Sequence, residues 1–202
     1  MIGKPLIILS TVDSTNNHAM GLIREGKAAS GMVIFALEQS EGKGQRGRNW
    51  HSDSGKNIMM SSLIGAEQFS IKEQFALSAT IALACCDFFS KYAGDETRIK
   101  WPNDLYWRDR KAGGILIENI VRGTDWNWTV IGIGLNINQT QFSNEAGKPV
   151  SLKQITGKHW DIKAMQKKLA DSLSASLNLW LTEGEALTLQ KMELQLIKIK
   201  SE

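Results

Sequence analysis

The sequence predicts an α+β fold, in which long helices cover one face of a mixed, mostly antiparallel sheet. In the middle of the chain, short apolar runs follow one another with tight polar turns between them, and strands joined in this way pair antiparallel. Two longer segments, residues 71–92 and 161–181, carry apolar residues at helical spacing. Because strands come in direct succession rather than alternating with helices, the pattern favours α+β.

The first half of the chain contains three predicted strands and two predicted helices. The strands are the apolar runs at residues 6–9, 32–37 and 58–64. Asp13, Ser14 and Thr15 can cap a first helix that ends before the second strand. The second helix covers residues 71–92 and has a wide apolar face.

The second half continues with four strands and a long helix. The strands are predicted within residues 98–101, 105–107, 115–121 and 126–136. A polar loop at 139–147 precedes the helix at 161–181. No linker separates two domains, so residues 1–184 are predicted to form one catalytic domain and residues 185–202 a helical tail.

Composition excludes several classes of protein. The 202 residues include 24 Lys and Arg against 21 Asp and Glu, and a net charge of +3 is too balanced to indicate nucleic-acid binding. The only cysteines, Cys85 and Cys86, are neighbours in a predicted buried helix, so no disulfide framework is expected and a cytoplasmic protein is indicated. Three widely spaced histidines predict no metal site, and no apolar run is long enough to predict a membrane span.

A loop rich in glycine and cations follows the second predicted strand. Residues 38–50 read EQSEGKGQRGRNW. Glycine lets a backbone approach a ligand closely, and Lys or Arg can neutralise a phosphate. The loop therefore predicts an anion-binding flap for a phosphorylated small molecule. A basic surface loop without a ligand is the alternative.

The same glycines match the G-x-G-x-x-G pattern of dinucleotide-binding folds. That motif requires a helix at the third glycine, Gly47, and an acidic residue about 20 positions later. Residues 48–55 have no apolar helical period, so a dinucleotide site is not expected. A Walker A loop is excluded because no G-K-[S/T] follows at the required spacing.

Lys100 begins the second informative motif, K-W-P-N-D. The residue before a proline favours extended geometry, so the strand is expected to end at Lys100, with Asn103 and Asp104 exposed in the turn. A lysine held at a strand end can bind a carboxylate or a phosphate. A surface lysine before an ordinary turn is the alternative.

Two further groups of residues contribute to the interpretation. Gly132 and Gly134 share one face of a strand and could form a floor under a small ring, although a bulge or tight packing would also require glycine. Ser14, Thr15 and Asn16 offer two hydroxyls and an amide at a helix start, where a plain N-cap is the alternative. Taken jointly, these groups suit a small neutral ring with a carboxylate tail that is activated by a nucleotide.

In order and spacing, these motifs resemble biotin–protein ligases, also called biotin–[acetyl-CoA-carboxylase] ligases, across residues 6–180. The matching segments are DSTN at 13–16, EQSEGKGQRGRNW at 38–50, KWPND at 100–104, RKAGGILIE at 110–118 and IGIGLN at 131–136. The resemblance implies a catalytic domain like that of class II aminoacyl-tRNA synthetases. It also implies a short form, without the N-terminal DNA-binding helix-turn-helix and without a complete C-terminal β-barrel.

The resemblance assigns roles to individual residues. Contacts to biotin are implied for Ser14, Thr15, Asn16, Gln39, Lys43, Gly44, Gln45, Trp50, Lys100, Gly132 and Gly134. Contacts to ATP are implied for Lys43, Arg46, Arg48, Lys100, Asn103, Lys111 and Asn136. The expected catalytic residues are Lys100 and Arg46, and no metal ligand is assigned. Lys43 and Gln45 depart from the family, which often has arginine at these positions.

The implied reaction joins biotin to ATP and then to a protein. Biotin and ATP, with Mg²⁺, would give biotinyl-5′-AMP, and a lysine of a biotin carboxyl carrier domain would then accept the biotin. A monomer or homodimer is expected, with no DNA or membrane partner. A lipoate–protein ligase is the main alternative. A non-catalytic biotin-binding or RNA-binding module is a further one, and a cysteine-dependent acyltransferase is weaker because both cysteines lie within a helix.

Overall fold

The computed structural model describes residues 2–66, 69–143 and 148–196. In these residues one sheet contains seven strands in the order β1-β2-β3-β7-β6-β5-β4. The strands are β1 Leu6–Val12, β2 Val33–Gln39, β3 Ile58–Gly65, β4 Thr97–Lys100, β5 Asp104–Trp107, β6 Arg110–Arg122 and β7 Asp125–Leu135. Only β1 and β2 pair parallel, and each other neighbouring pair is antiparallel. The predicted mixed, mostly antiparallel sheet is confirmed.

Five α-helices connect or cover these strands in the described residues. They are α1 Thr15–Arg24, α2 Gln74–Ala93, α3 Leu152–Thr156, α4 Ile162–Glu183 and α5 Glu185–Gln195. The prediction omitted the short helix α3, although its sequence carries the signal of a capping box. Ser151 Oγ accepts from Gln154 N, and Gln154 Oε1 accepts from Ser151 N. The predicted tail begins with α5, while residues 197–202 lie outside the described residues.

The long helices cover one face of the sheet, as predicted. Strand residues of alternating position, such as Val33, Phe35 and Met60, are fully buried against α2 and α4 in the larger core. The helical segment Ile71–Ala93 is long and apolar enough to cross a bilayer, but 67% of its most apolar window is buried inside this core. It therefore occupies the position of a core helix between the sheet and α4.

The opposite face is covered only in part. Helix α1 packs there over β2, β3 and β7, around a smaller core formed by Ala19, Met32, Ile34, Leu63 and Val130. Gly114 and Gly134 pair with each other on the same face, where the loop after β2 rather than a helix lies over the sheet. The N-terminus of α1, this loop and the ends of β4–β7 therefore surround one region of the sheet.

Candidate active site

One row of residues crosses four strands on the partly covered face. Lys100, Asp104, Gly114 and Gly134 are successive cross-strand partners on β4, β5, β6 and β7. Directly opposed residues project to the same side of a sheet. Lys100 and Gly134 therefore share a face and are separated by three strand spacings, or about 14 Å.

Lys100 is the last residue of β4, as the sequence predicted. Its ammonium group is exposed and lies 5.2 Å from the centre of the Tyr106 ring, a cation–π contact that orients the side chain. The next residue, Trp101, packs its ring against Phe75 with 5.0 Å between ring centres. The end of β4 is thus anchored on both sides of the sheet, which supports a defined position for the lysine.

The turn after Lys100 differs from the prediction. Asn103 and Asp104 were expected to be exposed, but both are partly buried, and Asp104 begins β5. Lys111 Nζ lies 2.7 Å from Asp104 Oδ1, and Asn103 Nδ2 donates to the same oxygen at 3.2 Å. A bulge between Leu105 and Tyr106 shifts the register of β5 against β6, an irregularity that the sequence does not indicate. The ammonium of Lys111 is consequently paired, and its contact to ATP remains a prediction.

A polar network lies at the N-terminus of α1. The backbone N–H of Thr15 donates to Gln39 Oε1 at 2.7 Å. The hydroxyl oxygen of Ser61 lies 2.7 Å from Thr15 Oγ1 and 2.5 Å from Asn16 Oδ1. Asn16 Nδ2 in turn donates to Glu118 Oε2 at 2.7 Å. Residues from α1, β2, β3 and β6 are therefore joined in one hydrogen-bonded cluster.

Two polar side chains at this end of α1 have groups without a partner in the part of the chain that the structure describes. Ser14 is the N-cap of α1 and only 2% exposed, yet its side chain makes no capping hydrogen bond. A plain N-cap would place that hydroxyl on a backbone N–H of the first turn. In the described residues the Nε2 group of Gln39 also makes no hydrogen bond. Both groups are thus available to a ligand, which favours the predicted binding role over simple capping.

Side chains cover the two glycines of β7. A Cβ on Gly132 would collide with Asn16 Oδ1 and would lie 3.0 Å from Asn16 Cγ. A Cβ on Gly134 would lie only 2.5 Å from Trp50 Cε2. Tight packing therefore explains glycine at position 132, and a ligand ring could reach Gly134 only if Trp50 moved. The predicted contact of biotin with both glycines remains a prediction.

The glycine-rich loop doubles back on itself and forms a narrow flap, defined here as residues 42–50. Trp50 N donates to Gly42 O at 2.8 Å, and Gly44 N donates to Arg48 O at 2.7 Å. At the tip, Arg46 adopts the left-handed backbone conformation with φ of 56°. That conformation is uncommon for a residue with a side chain, and such strain clusters at binding sites.

The cations of the flap are largely uncompensated. Arg46 and Arg48 are exposed and form no ion pair within the part of the chain that the structure describes. Lys43 Nζ donates to Asn17 Oδ1 at 2.5 Å, and Asn17 Nδ2 donates to Asp13 Oδ2. The bond from Asn17 lowers the pKa of Asp13, so this carboxylate stays charged beside the flap. The exposed positive charges of Arg46 and Arg48 can attract an anion.

The remaining site residues lie around the base of the flap and the end of β7. A space of about 300 Å³ at the base of the flap is lined by Ser40, Glu41, Gly42, Asn49 and His51. Trp50 is partly buried, and its indole N–H has no hydrogen-bond partner among the described residues. Asn136 is 4% exposed, and its Nδ2 donates to Lys111 O at 3.3 Å. Roles for Gln45, Trp50 and Asn136 in ligand binding remain predictions.

Two residues of the network were missed by sequence reasoning. Ser61 lies in the apolar strand β3 and is fully buried, so the pair of serines between Met60 and Leu63 was the available signal. Glu118 ends the segment RKAGGILIE, which was recognised as a motif without a role for its carboxylate. Both residues reach Asn16 from positions that are 45 and 102 residues away along the chain.

The two cysteines are not candidate nucleophiles. Both are fully buried in α2. Burial raises the pKa of the Cys85 thiol far above its usual range and raises the pKa of the Cys86 thiol to about 12. The reactive thiolate is therefore scarce at neutral pH.

Iodoacetamide should accordingly leave the folded protein unlabelled at pH 8. Both thiols should react once urea unfolds the chain, because solvation returns each pKa to its ordinary value. Mass spectrometry before and after unfolding measures the difference. Rapid labelling of the native protein at Cys85 or Cys86 would contradict their burial.

The fold that carries this site has the architecture of biotin protein ligase structures. The structure of biotin protein ligase from Aquifex aeolicus in complex with biotin and ATP superposes with a TM-score of 0.84 and 27% identity, covering 98% of this chain and 80% of that one. The model of the biotin/lipoate A/B protein ligase family matches residues 8–136, and the chain belongs to this family.

Sequence relatives agree with the structural comparison. The bifunctional ligase/repressor BirA of Escherichia coli is 33% identical over 193 residues, which are 95% of this chain and 59% of the relative. The biotin–[acetyl-CoA-carboxylase] ligase of Paracoccus denitrificans is 33% identical over 156 residues, or 74% of this chain and 63% of the relative. The chain thus spans about three fifths of these relatives. The predicted resemblance to biotin–protein ligases is confirmed.

Proposed function

We propose that the chain is an ATP-dependent biotin–protein ligase. It would form biotinyl-5′-AMP and pyrophosphate from biotin and ATP, and would then pass biotin to a lysine of a biotin carboxyl carrier domain. The main observation is that Ser14 and Gln39, whose side chains have hydrogen-bonding groups without partners in the described residues, lie at the N-terminus of α1, and this helix packs on the sheet face that carries Lys100. This arrangement suits a ligand with a polar ring at one end and a carboxylate at the other.

The polar end of the site favours biotin over lipoate. The ureido ring of biotin carries two N–H donors and one carbonyl acceptor, which can pair with the groups of Ser14, Thr15 and Gln39. The dithiolane ring of lipoate has no such donors and would leave these groups unpaired. A site built to hydrogen-bond a ligand rejects an analogue that lacks the matching groups by large factors.

In the first step, charge neutralisation is the main requirement. The biotin carboxylate attacks the α-phosphorus of ATP, the new oxygen–phosphorus bond forms, and pyrophosphate leaves. Both reactants are anions, so the ammonium of Lys100 and the guanidinium groups of Arg46 and Arg48 would offset their repulsion. The exposed flap arginines can fold over the phosphates without first breaking an ion pair.

In the second step, positioning and exclusion of water are the main requirements. The carrier lysine, as a free amine, attacks the carbonyl of the mixed anhydride, its proton is released, and AMP leaves. Water would compete in the same reaction. Closure of the flap, with Trp50 as a wall, would shield the anhydride until the carrier arrives.

Mg²⁺ fits this site only as a companion of the nucleotide. Within the described ranges no group of three His, Cys, Asp or Glu side chains could form a metal cage. Asp104 is the carboxylate of the Lys100 row, and it is paired with Lys111. Mg²⁺ often binds substrate phosphates and water with one or two carboxylates, and it would supply positive charge at the pyrophosphate.

The free thiols of Cys85 and Cys86 suit a cytoplasmic location.

Incubation with ATP and either biotin or lipoate tests the proposal. We expect pyrophosphate release with biotin and biotinyl-5′-AMP in the mass spectrum, followed by a biotin mass increase on an added carrier domain. Lipoyl-AMP as the main product would establish the alternative ligase. Biotin binding without ATP-dependent pyrophosphate release would instead indicate a non-catalytic binding module.

Arg46→Ala should weaken ATP binding by about tenfold and biotin binding by less than about twofold. The reason is that a charged hydrogen bond to phosphate is lost while the polar network around Thr15 stays intact. Isothermal titration with each ligand measures both constants. Arg24→Ala, which removes an exposed arginine from the last turn of α1, is the matched control. A larger loss of biotin than of ATP affinity would refute this assignment.

A further inference from the structure

Glu118 is a partly buried carboxylate that the reaction described above does not use. It lies on β6, where its Oε2 accepts a hydrogen bond from Asn16 Nδ2 at 2.7 Å. The same Nδ2 group is 3.4 Å from Leu116 O, a second acceptor. No ion pair to Glu118 is formed within the described part of the chain. Its partner Asn16 is 2% exposed and packs directly on Gly132.

The carboxylate determines which end of the Asn16 amide faces which neighbour. A carboxylate and a backbone carbonyl only accept hydrogen bonds, so the NH₂ end of Asn16 must face Glu118 and Leu116. The oxygen of Asn16 therefore faces Ser61 Oγ, 2.5 Å away. Since two acceptors cannot bond to each other, the Ser61 hydroxyl must donate its single hydrogen to Asn16.

The direction of the hydrogen bond between Ser61 and Asn16 also sets the direction of the next bond, between Ser61 and Thr15. With its hydrogen committed to Asn16, Ser61 can only accept from the Thr15 hydroxyl, 2.7 Å away. Gln39 Oε1 takes the backbone N–H of Thr15 at 2.7 Å and is the other acceptor within reach of that hydroxyl, at 3.0 Å. Either way the hydrogen of Thr15 is used within the protein. The lone pairs of Thr15 Oγ1 and the Nε2 donors of Gln39 are left for a ligand.

We infer that Glu118 is a positioning residue that orders the donors and acceptors of the biotin pocket through Asn16 and Ser61. The inference rests on the proposed function. The resulting pattern, an acceptor at Thr15 and a donor at Gln39, matches the N–H and C=O groups of a cyclic urea. Glu118 acts without touching the ligand, and its effect is on ring recognition rather than on the phosphoryl chemistry.

Glu118→Gln tests the inference because glutamine has the shape of glutamate but is not restricted to accepting hydrogen bonds. A glutamine can present either its oxygen or its NH₂ group, so the order of the network is no longer enforced. We expect the dissociation constant and KM for biotin to rise about tenfold, the scale of one disrupted buried hydrogen bond. The kcat and the affinity for ATP should change by less than about twofold. Glu183→Gln, an exposed carboxylate at the end of α4, is the matched control.

Glu118→Asp should lose less biotin affinity than Glu118→Gln. Aspartate is shorter than glutamate but still only accepts hydrogen bonds, so the NH₂ end of Asn16 keeps its direction, whereas glutamine keeps the length and loses this restriction. A purely structural role, in which the shape of the side chain matters, predicts the reverse order and a lower melting temperature for Glu118→Asp than for Glu118→Gln. Isothermal titration and thermal unfolding of all variants provide the comparison.

The outcomes separate this inference from the proposed function. If the unchanged protein binds biotin and Glu118→Gln binds it equally well, the positioning role is wrong while the ligase proposal stands. Biotin binding by Glu118→Asp that is no tighter than binding by Glu118→Gln would also overturn the positioning role. An unchanged protein that binds no biotin would overturn the proposed function and this inference with it.

Discussion

Replacing Lys100 with alanine is expected to reduce the rate of pyrophosphate release at least about a hundredfold. Loss of one key electrostatic donor at a reacting centre has an effect of this scale. Lys100 is positioned at the end of β4 over Tyr106, on the sheet face that carries the polar network. Lys111, the cation next to this row of residues, is paired with Asp104 and does not replace Lys100.

The loss should appear mainly in catalysis and not in folding. The Lys100 side chain is exposed, so its removal leaves no cavity and the melting temperature should stay within about two degrees. Steady-state pyrophosphate release with saturating biotin and ATP measures the rate. Lys163→Ala, an exposed lysine at the start of α4, controls for general loss of charge. Near-normal release by Lys100→Ala would remove this lysine from the mechanism.

Gly132→Ala should have the second largest effect, on stability and on biotin binding together. The added Cβ would overlap Asn16 Oδ1, and Asn16 cannot yield freely because Ser61 and Glu118 hold both ends of its amide. Overpacking of this kind costs about 1–3 kcal/mol of unfolding free energy. Displacement of Asn16 would also disturb Thr15, so biotin affinity should fall at least about tenfold.

Gly134→Ala is the matched control for this prediction. The Cβ there would meet the Trp50 ring, which belongs to the flap and not to the buried network. Because the flap can shift, the loss of stability should be less than about 1 kcal/mol. Urea unfolding measures both variants. Equal losses of stability at the two positions would show that Asn16 is not the rigid partner proposed here.

The order of elements was largely predictable, because each strand and helix repeats its apolar residues with a distinct local period. The residues at which strands and helices begin and end were less predictable. The strand containing Ile115 was predicted from residue 115 but begins at Arg110, since polar and glycine residues there pair with β5. Helix α3, with its Ser151 cap, was omitted because it is one turn long and carries little period.

The candidate site was predictable where a short segment carries its own chemistry. A few consecutive residues were enough to recognise each of three features: the cationic flap, the strand end at Lys100 and the helix start at Ser14. Asp104 was misjudged because its exposure depends on Lys111, which the bulge between β5 and β6 brings to the same face. A short segment of sequence does not indicate an ion pair between residues on two different strands.

By itself, the sequence determined the fold class and the family, since these follow from local periodicity and motif order, and it predicted a set of residues for a biotin-like ligand. Only the tertiary structure decided how those residues are connected. Glu118 reaches Asn16 across 102 positions, and Trp50 lies over Gly134, because sheet register and loop packing bring distant segments into contact. Hydrogen-bond direction depends on such contacts, so the ordering of the pocket became visible only in three dimensions.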